Sequence, residues 1–135
     1  MSLPTAFLPL GQTVAVVTNA TPATSSNATI TLYGNGTGFV FNTGATPKPA
    51  AQPNQLRIMN AGTAIVFVSF NLLARAAVIP VAGTNQIEYP ILPSSVEVFS
   101  GIVWAPQGAA SPNLIVATIS SAASQPLYLT FGEGL

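Results

Sequence analysis

In "ATITLYG" (28–34), Ile30 and Leu32 fall on one side of an extended chain, and the threonines and Tyr33 on the other. In "SVEVFS" (95–100), Val96 and Val98 share one face while Glu97 and Phe99 share the other. A two-residue period belongs to a strand, and one wet face per strand is typical of antiparallel sheets. Helical periodicity is nearly absent. Twelve prolines and eleven glycines interrupt the chain so often that few helix-length windows survive. The runs between them, rich in Val, Ile, Thr, Phe and Tyr, predict strands over 13–18, 28–33, 38–42, 55–60, 64–70, 76–80, 86–89, 95–100, 102–105, 114–120 and 127–131. Residues 71–77, "NLLARAA", fit a short helix and an extended segment equally well.

Turn chemistry separates these runs. "YGNGTG" (33–38) offers the Asn-Gly pair favoured by tight hairpins. "TGATPKPAAQPNQ" (43–55) and "PQGAASPN" (106–113) read as surface loops. "NAGT" (60–63) is read as a turn between strands 55–60 and 64–70, so the apolar run after it is core. About eight to ten short strands with polar turns predict an all-β fold, an antiparallel β-sandwich of jelly-roll-like type. Residues 13–135 are expected to form one such domain. Residues 1–12, opening "MSLPTAFLPLG", are apolar, broken by prolines and without period. They suit an extended arm that orders on contact, or an edge segment packed on its own domain.

Composition narrows what such a domain is for. Only 4% of the 135 residues are charged, against about 25% in ordinary soluble proteins, and the formal net charge is zero. Such chains tend to associate. A hydrophobic fraction of 49% excludes disorder as the reason. The apolar runs are too short for a membrane-spanning helix of about 20 residues, and most candidate strands too short for outer-membrane strands of about 9–11. The N-terminus lacks a basic region and carries two prolines, a poor match to a signal peptide. What remains is a surface polar without charge, part of it expected to lie under another protein.

The chemistry within reach is correspondingly small. There is no cysteine, histidine or aspartate, so no Ser-His-Asp triad, cysteine nucleophile or histidine metal site can be assembled. No enzyme activity, cofactor or metal is expected. Glu88, Glu97 and Glu133 leave a two-carboxylate glycosidase formally open, but their sequence settings do not suggest a paired site. Lys48, Arg57 and Arg75, well apart, are too few for nucleic acid. The sequons at Asn19, Asn27 and Asn35 are what an Asn- and Thr-rich chain makes by chance. Two function classes are left: a structural assembly protein, and a lectin-like carbohydrate-binding sandwich. The second wants exposed aromatic platforms; Trp104 is the one candidate, and filling a sandwich end suits it better. An interface without charge also resists changes of salt, which suits an assembly.

Three segments carry a resemblance: "LRIMNAGTAIVFVSF" (56–70), "YPILPSSVEVFSG" (89–101) and "PLYLTFGEGL" (126–135). Their order resembles that of small virion proteins of tailed bacteriophages, the capsid decoration or cement type. That pattern has a hairpin of the form R-x-x-N-x-G followed by an apolar strand, then an L-P-G-S-x-E-x-F turn and strand, then a Y-x-T-x-G-E-G ending. Ser94 stands where the turn more often has glycine, and Phe131 where proline is common. The resemblance implies a sandwich that binds the outer surface of an icosahedral capsid and stabilises it, with no catalytic residues; some proteins with this pattern are minor virion or tail components. Expected partners are the major capsid protein and copies of itself, as a dimer or trimer, on virions made in a bacterial cytoplasm. Candidate interface residues are Leu3, Phe7, Leu8 and Leu10 in the arm, Lys48 in the proline-rich loop, Arg57 and Trp104. Arg57 alternates with Leu56 and Ile58 and is expected on the outer side of its sheet. Its partner is expected to be Glu97, Glu88, backbone carbonyls or a capsid carboxylate.

Overall fold

The computed structural model describes residues 8–31, 55–71, 74–100 and 113–133; at 8–12, 30–31, 113 and 133 it describes the backbone alone. Eight strands fill these ranges: β1 (Leu8–Val17), β2 (Ser26–Thr31), β3 (Gln55–Asn60), β4 (Val66–Asn71), β5 (Tyr89–Ile91), β6 (Ser95–Ser100), β7 (Asn113–Ser120) and β8 (Pro126–Glu133). They form two four-stranded antiparallel sheets, β1-β8-β3-β6 and β2-β7-β4-β5. The pairs β1·β8, β2·β7, β3·β6 and β4·β5 nest one inside another. That is a long hairpin rolled into a sandwich, the winding of a jelly roll, as the sequence led us to expect.

Alternation explains the rolling. Leu56 and Ile58 of β3, Leu127, Leu129 and Phe131 of β8, and Val16 of β1 point inward from one sheet. Val66 and Val68 of β4, Ile91 of β5, and Leu114 and Val116 of β7 meet them from the other. Each such side chain contributes roughly 1.5–3 kcal/mol by leaving water. Phe99 closes the β6 rim, its ring edge-on to Phe70 at 5.1 Å and to Tyr89 at 5.3 Å. Glu97 shares its inward side, in register with buried Ile58. A charged residue turned inward on an edge strand discourages pairing with a foreign edge. Prolines keep to permitted places: Pro9 and Pro90 on the edge strands β1 and β5, and Pro126 at the start of β8.

The connections 18–25, 61–65, 92–94 and 121–125 gather at one end, where polar groups tie them together. Buried Asn60 donates to the carbonyls of Ala64 and Ile91, both at 2.9 Å, and accepts from the Gly62 N–H at 2.9 Å. Gln125 Oε1 accepts from the N–H groups of Thr63 (2.8 Å) and Ala64 (3.0 Å). The Gln125 backbone exchanges hydrogen bonds with Thr18. A Cβ at position 62 would fall on Gln125 Oε1 and 3.2 Å from Asn60 Oδ1, so a side chain in place of the "NAGT" glycine would push the Gln125 amide off its bonds to Thr63 and Ala64. Ala23 (φ 58°), Ser94 (φ 58°) and Ser124 (φ 51°) hold left-handed backbone in these connections, a conformation glycine adopts more cheaply.

Several expectations need correcting. The 60–65 connection is no hairpin turn, because β3 and β4 belong to different sheets and Asn60 turns the chain from one to the other. Residues 74–80 and 86–88 form neither helix nor strand. They lie across the outer face of the second sheet, where Ala77 and Ile79 pack on Phe67, Ala117 and Ile119. Of the two readings for residues 1–12, the edge segment packed on its own domain holds for 8–12, since β1 begins at Leu8 and pairs with β8. The strands expected at 38–42 and 102–105, the 33–38 turn and the 43–55 loop (apart from Gln55), and residues 106–112 and 1–7 lie outside the described residues.

Candidate functional site

The two outer faces of the sandwich are finished differently. On the β2-β7-β4-β5 sheet the 74–88 segment acts as a cover and is held by an ion pair. Arg75 Nη1 donates to Glu88 Oε1 at 2.6 Å and to Ser69 Oγ at 3.2 Å. The same carboxylate oxygen accepts from the Val78 N–H at 3.2 Å, and the Ala77 N–H donates to Ser25 Oγ at 2.7 Å. Burial works to raise the Glu88 carboxyl. The hydrogen bonds from Arg75 and from the Glu88 and Val78 backbone, with the arginine charge, outweigh it and hold the carboxyl below its ordinary value. Glu88 Oε2 is buried and accepts no hydrogen bond.

On the outer side of the β1-β8-β3-β6 sheet Gln55 and Gly132 are buried, and the rows beyond them are more exposed. The register lines up side chains in rows across all four strands on the outer side. One row is Ala15, Tyr128, Met59 and Val96. The next is Thr13, Thr130, Arg57 and Val98, with the two threonine hydroxyls 2.8 Å apart. Tyr128 is 42% exposed, Met59 40%, Val96 49%, and Val17 at the end of β1 53%. Val81 and Ile87, on the segment across the other sheet, are more exposed still, at 61% and 66%.

Arg57 stands in the row with Thr130 and Val98, exposed, and outward as its alternation foretold. Among the described residues no hydrogen bond, ion pair or ring contact joins it to another side chain or to the backbone. The internal partners expected for it are therefore corrected. Glu88 belongs to Arg75 on the opposite sheet, Glu97 faces inward, and no backbone carbonyl accepts from the guanidinium. Of the other sequence-chosen residues, Leu8 and Leu10 are in β1 with their side chains outside the described residues. Leu3, Phe7, Lys48 and Trp104 lie outside them altogether.

The sequence did not single out Met59, Val96 and Tyr128, and it held a signal for them. Each is apolar at the alternate position where a wet face calls for a polar one. Among the described residues no cluster of acidic side chains suits a metal ion, and no helix is long and apolar enough to cross a membrane. No family model, curated protein or solved structure matches the chain.

Proposed function

We propose that this chain is a structural virion protein that binds the outer surface of an icosahedral phage capsid and reinforces it. The observation that carries the reading is the large apolar side chains that a nearly uncharged chain leaves exposed. Tyr128, Met59 and Val96 stand side by side on one sheet, and Val81 and Ile87 on the segment across the other, in a chain with 4% charged residues. Jelly rolls serve in virions and in lectins alike, so the winding alone does not choose between them. Apolar side chains exposed beside one another favour contact with protein over contact with sugar. The segments that resemble decoration proteins supply β3, β6 and β8, three of the four strands of the β1-β8-β3-β6 sheet. Ser94 adds support, since its left-handed backbone accounts for the glycine more usual there.

In this reading the protein is made in the bacterial cytoplasm and carried on the finished head, in contact with the major capsid protein and with copies of itself. Few charges are present to be screened, so attachment holds across ionic strengths. The test is to purify intact particles, wash them at low and at high salt, and quantify the chain against the major capsid protein. A fixed ratio retained through both washes is expected. Absence from particles, together with selective binding on a glycan array, would overturn the reading in favour of a carbohydrate-binding module.

A further inference from the structure

We propose that residues 74–88 form an acid-released strap: when the Glu88 carboxylate takes up a proton, the segment lifts from the outer face of the β2-β7-β4-β5 sheet while both sheets stay folded.

Topology makes the segment separable. It leads from β4 to β5, and those two strands are already neighbours, paired from Val66↔Ile91 to Val68↔Tyr89. No residue from 74 to 88 belongs to a strand. Lifting the segment therefore breaks no ladder and removes no side chain from the core between the sheets. A segment with few buried apolar contacts and no share in the ladders opens at a lower free energy than the whole domain.

Its anchorage is concentrated at one carboxylate. Among the described residues, Ala77 and Ile79 make its apolar contact with Phe67, Ala117 and Ile119, while Val78, Val81 and Ile87 stand in water. The far turn bonds to itself: the Thr84 N–H and hydroxyl both donate to the Val81 carbonyl, at 3.1 and 2.7 Å, with Gly83 left-handed at φ 84°. Glu88 Oε1, at the end of the segment, gathers in its beginning by accepting from Arg75 Nη1 at 2.6 Å and from the Val78 N–H at 3.2 Å. Bonds from Arg75 to Ser69 and from the Ala77 N–H to Ser25 complete the attachment.

A proton undoes this clasp. The neutral acid no longer balances Arg75, whose side chain is 34% exposed and regains its full hydration only by swinging into water. That swing carries residues 75–78 with it, because Arg75 and the Val78 N–H share one oxygen. Among the described residues no other titratable group faces the clasp. β4 presents Phe67 and Ser69 to the segment, β7 presents Ala117 and Ile119, and Ser25 stands just before β2. Tyr89, next along β5, turns its ring to Phe99. Burial pulls the Glu88 carboxyl up, but the Arg75 and backbone hydrogen bonds, with the arginine charge, hold it below its ordinary 4.5. The strap is therefore closed above that value and opens as pH falls through the lower one.

Trypsin reads the strap at neutral pH. Of the three basic residues, Lys48 precedes Pro49 and resists cleavage, Arg57 lies within β3, and Arg75 lies in the strap. Glu88→Gln keeps the shape of the side chain and removes its charge. Cleavage after Arg75 is expected at least about tenfold faster in this variant than in wild type, with Arg57 spared in both. Wild type supplies the acid arm, through hydrogen exchange read by mass spectrometry and corrected for intrinsic rates. Amides of residues 76–80 should lose protection below pH 4.5 while those of 114–119 in β7 keep it. Equal cleavage after Arg75 in wild type and Glu88→Gln would overturn the inference. So would cutting at Arg57 as fast as at Arg75, or loss of protection in 76–80 and 114–119 at one pH, since strap and sheet would then open together.

Discussion

Replacing Asn60 with alanine should be the most damaging single change at the short-connection end of the sandwich. The side chain is fully buried and makes three hydrogen bonds of 2.9 Å, to the carbonyls of Ala64 and Ile91 and from the N–H of Gly62. Each is worth about 1 kcal/mol net, and more where the abandoned group stays dry. The emptied volume of a fully buried side chain adds a cavity term. Together these give a loss of about 3–5 kcal/mol, a large share of the 5–15 kcal/mol typical of a domain. Urea denaturation followed by tyrosine and tryptophan fluorescence measures it, with the slope checked for a two-state transition. A loss below about 1 kcal/mol with an unchanged slope would refute the idea that Asn60 fixes the crossing from one sheet to the other.

Other outcomes follow from local geometry. Ser94→Gly should stabilise the domain by about 0.5–1 kcal/mol in the same assay, because the left-handed strain at φ 58° is relieved and the Ser94 N–H keeps its bond to the Asn60 carbonyl. Arg75→Met should cost about 2–3 kcal/mol by stranding a buried carboxylate, and adding Glu88→Leu should recover most of it. Stability should also respond to acid through Glu88. Its folded-state pKa lies below the ordinary 4.5, so its contribution is complete above that value and is lost as pH falls through the lower one. Thermal midpoints taken downward from neutral pH should show this drop in wild type and lack it in the Arg75→Met/Glu88→Leu double variant.

Where pattern alone decides structure, the sequence was easy to read. Strands 55–60 and 95–100 appear with the bounds expected, since clean alternation ends there in Asn60 and Ser95 at connections. Alternation also put Arg57 on an outer face. Pairing is another matter. Residues 76–80 have strand-like composition, yet they form no ladder and work as a cover through Ala77 and Ile79. Composition records that a segment is apolar and extended, not whether a neighbouring strand has a free edge. The exposure of Val96 was hidden for a related reason. In "SVEVFS" the two valines look like core and the glutamate like surface, but the register with β3 puts Glu97 beside Ile58 and leaves Val96 in water. Only the partner strand settles which side of an alternating run is inside.

The nested pairing also governs when the protein can exist during its own synthesis. Of the described strands β8 is made last, yet it sits between β1 and β3 in the middle of its sheet. Until it is made, β1 lacks its described partner and the core lacks Leu127, Leu129 and Phe131. A nascent chain of this winding can pair β3 with β6 but cannot join β1 to them before β8. Any product cut short before β8 forfeits the centre of that sheet, and with it the whole face on which Arg57 stands.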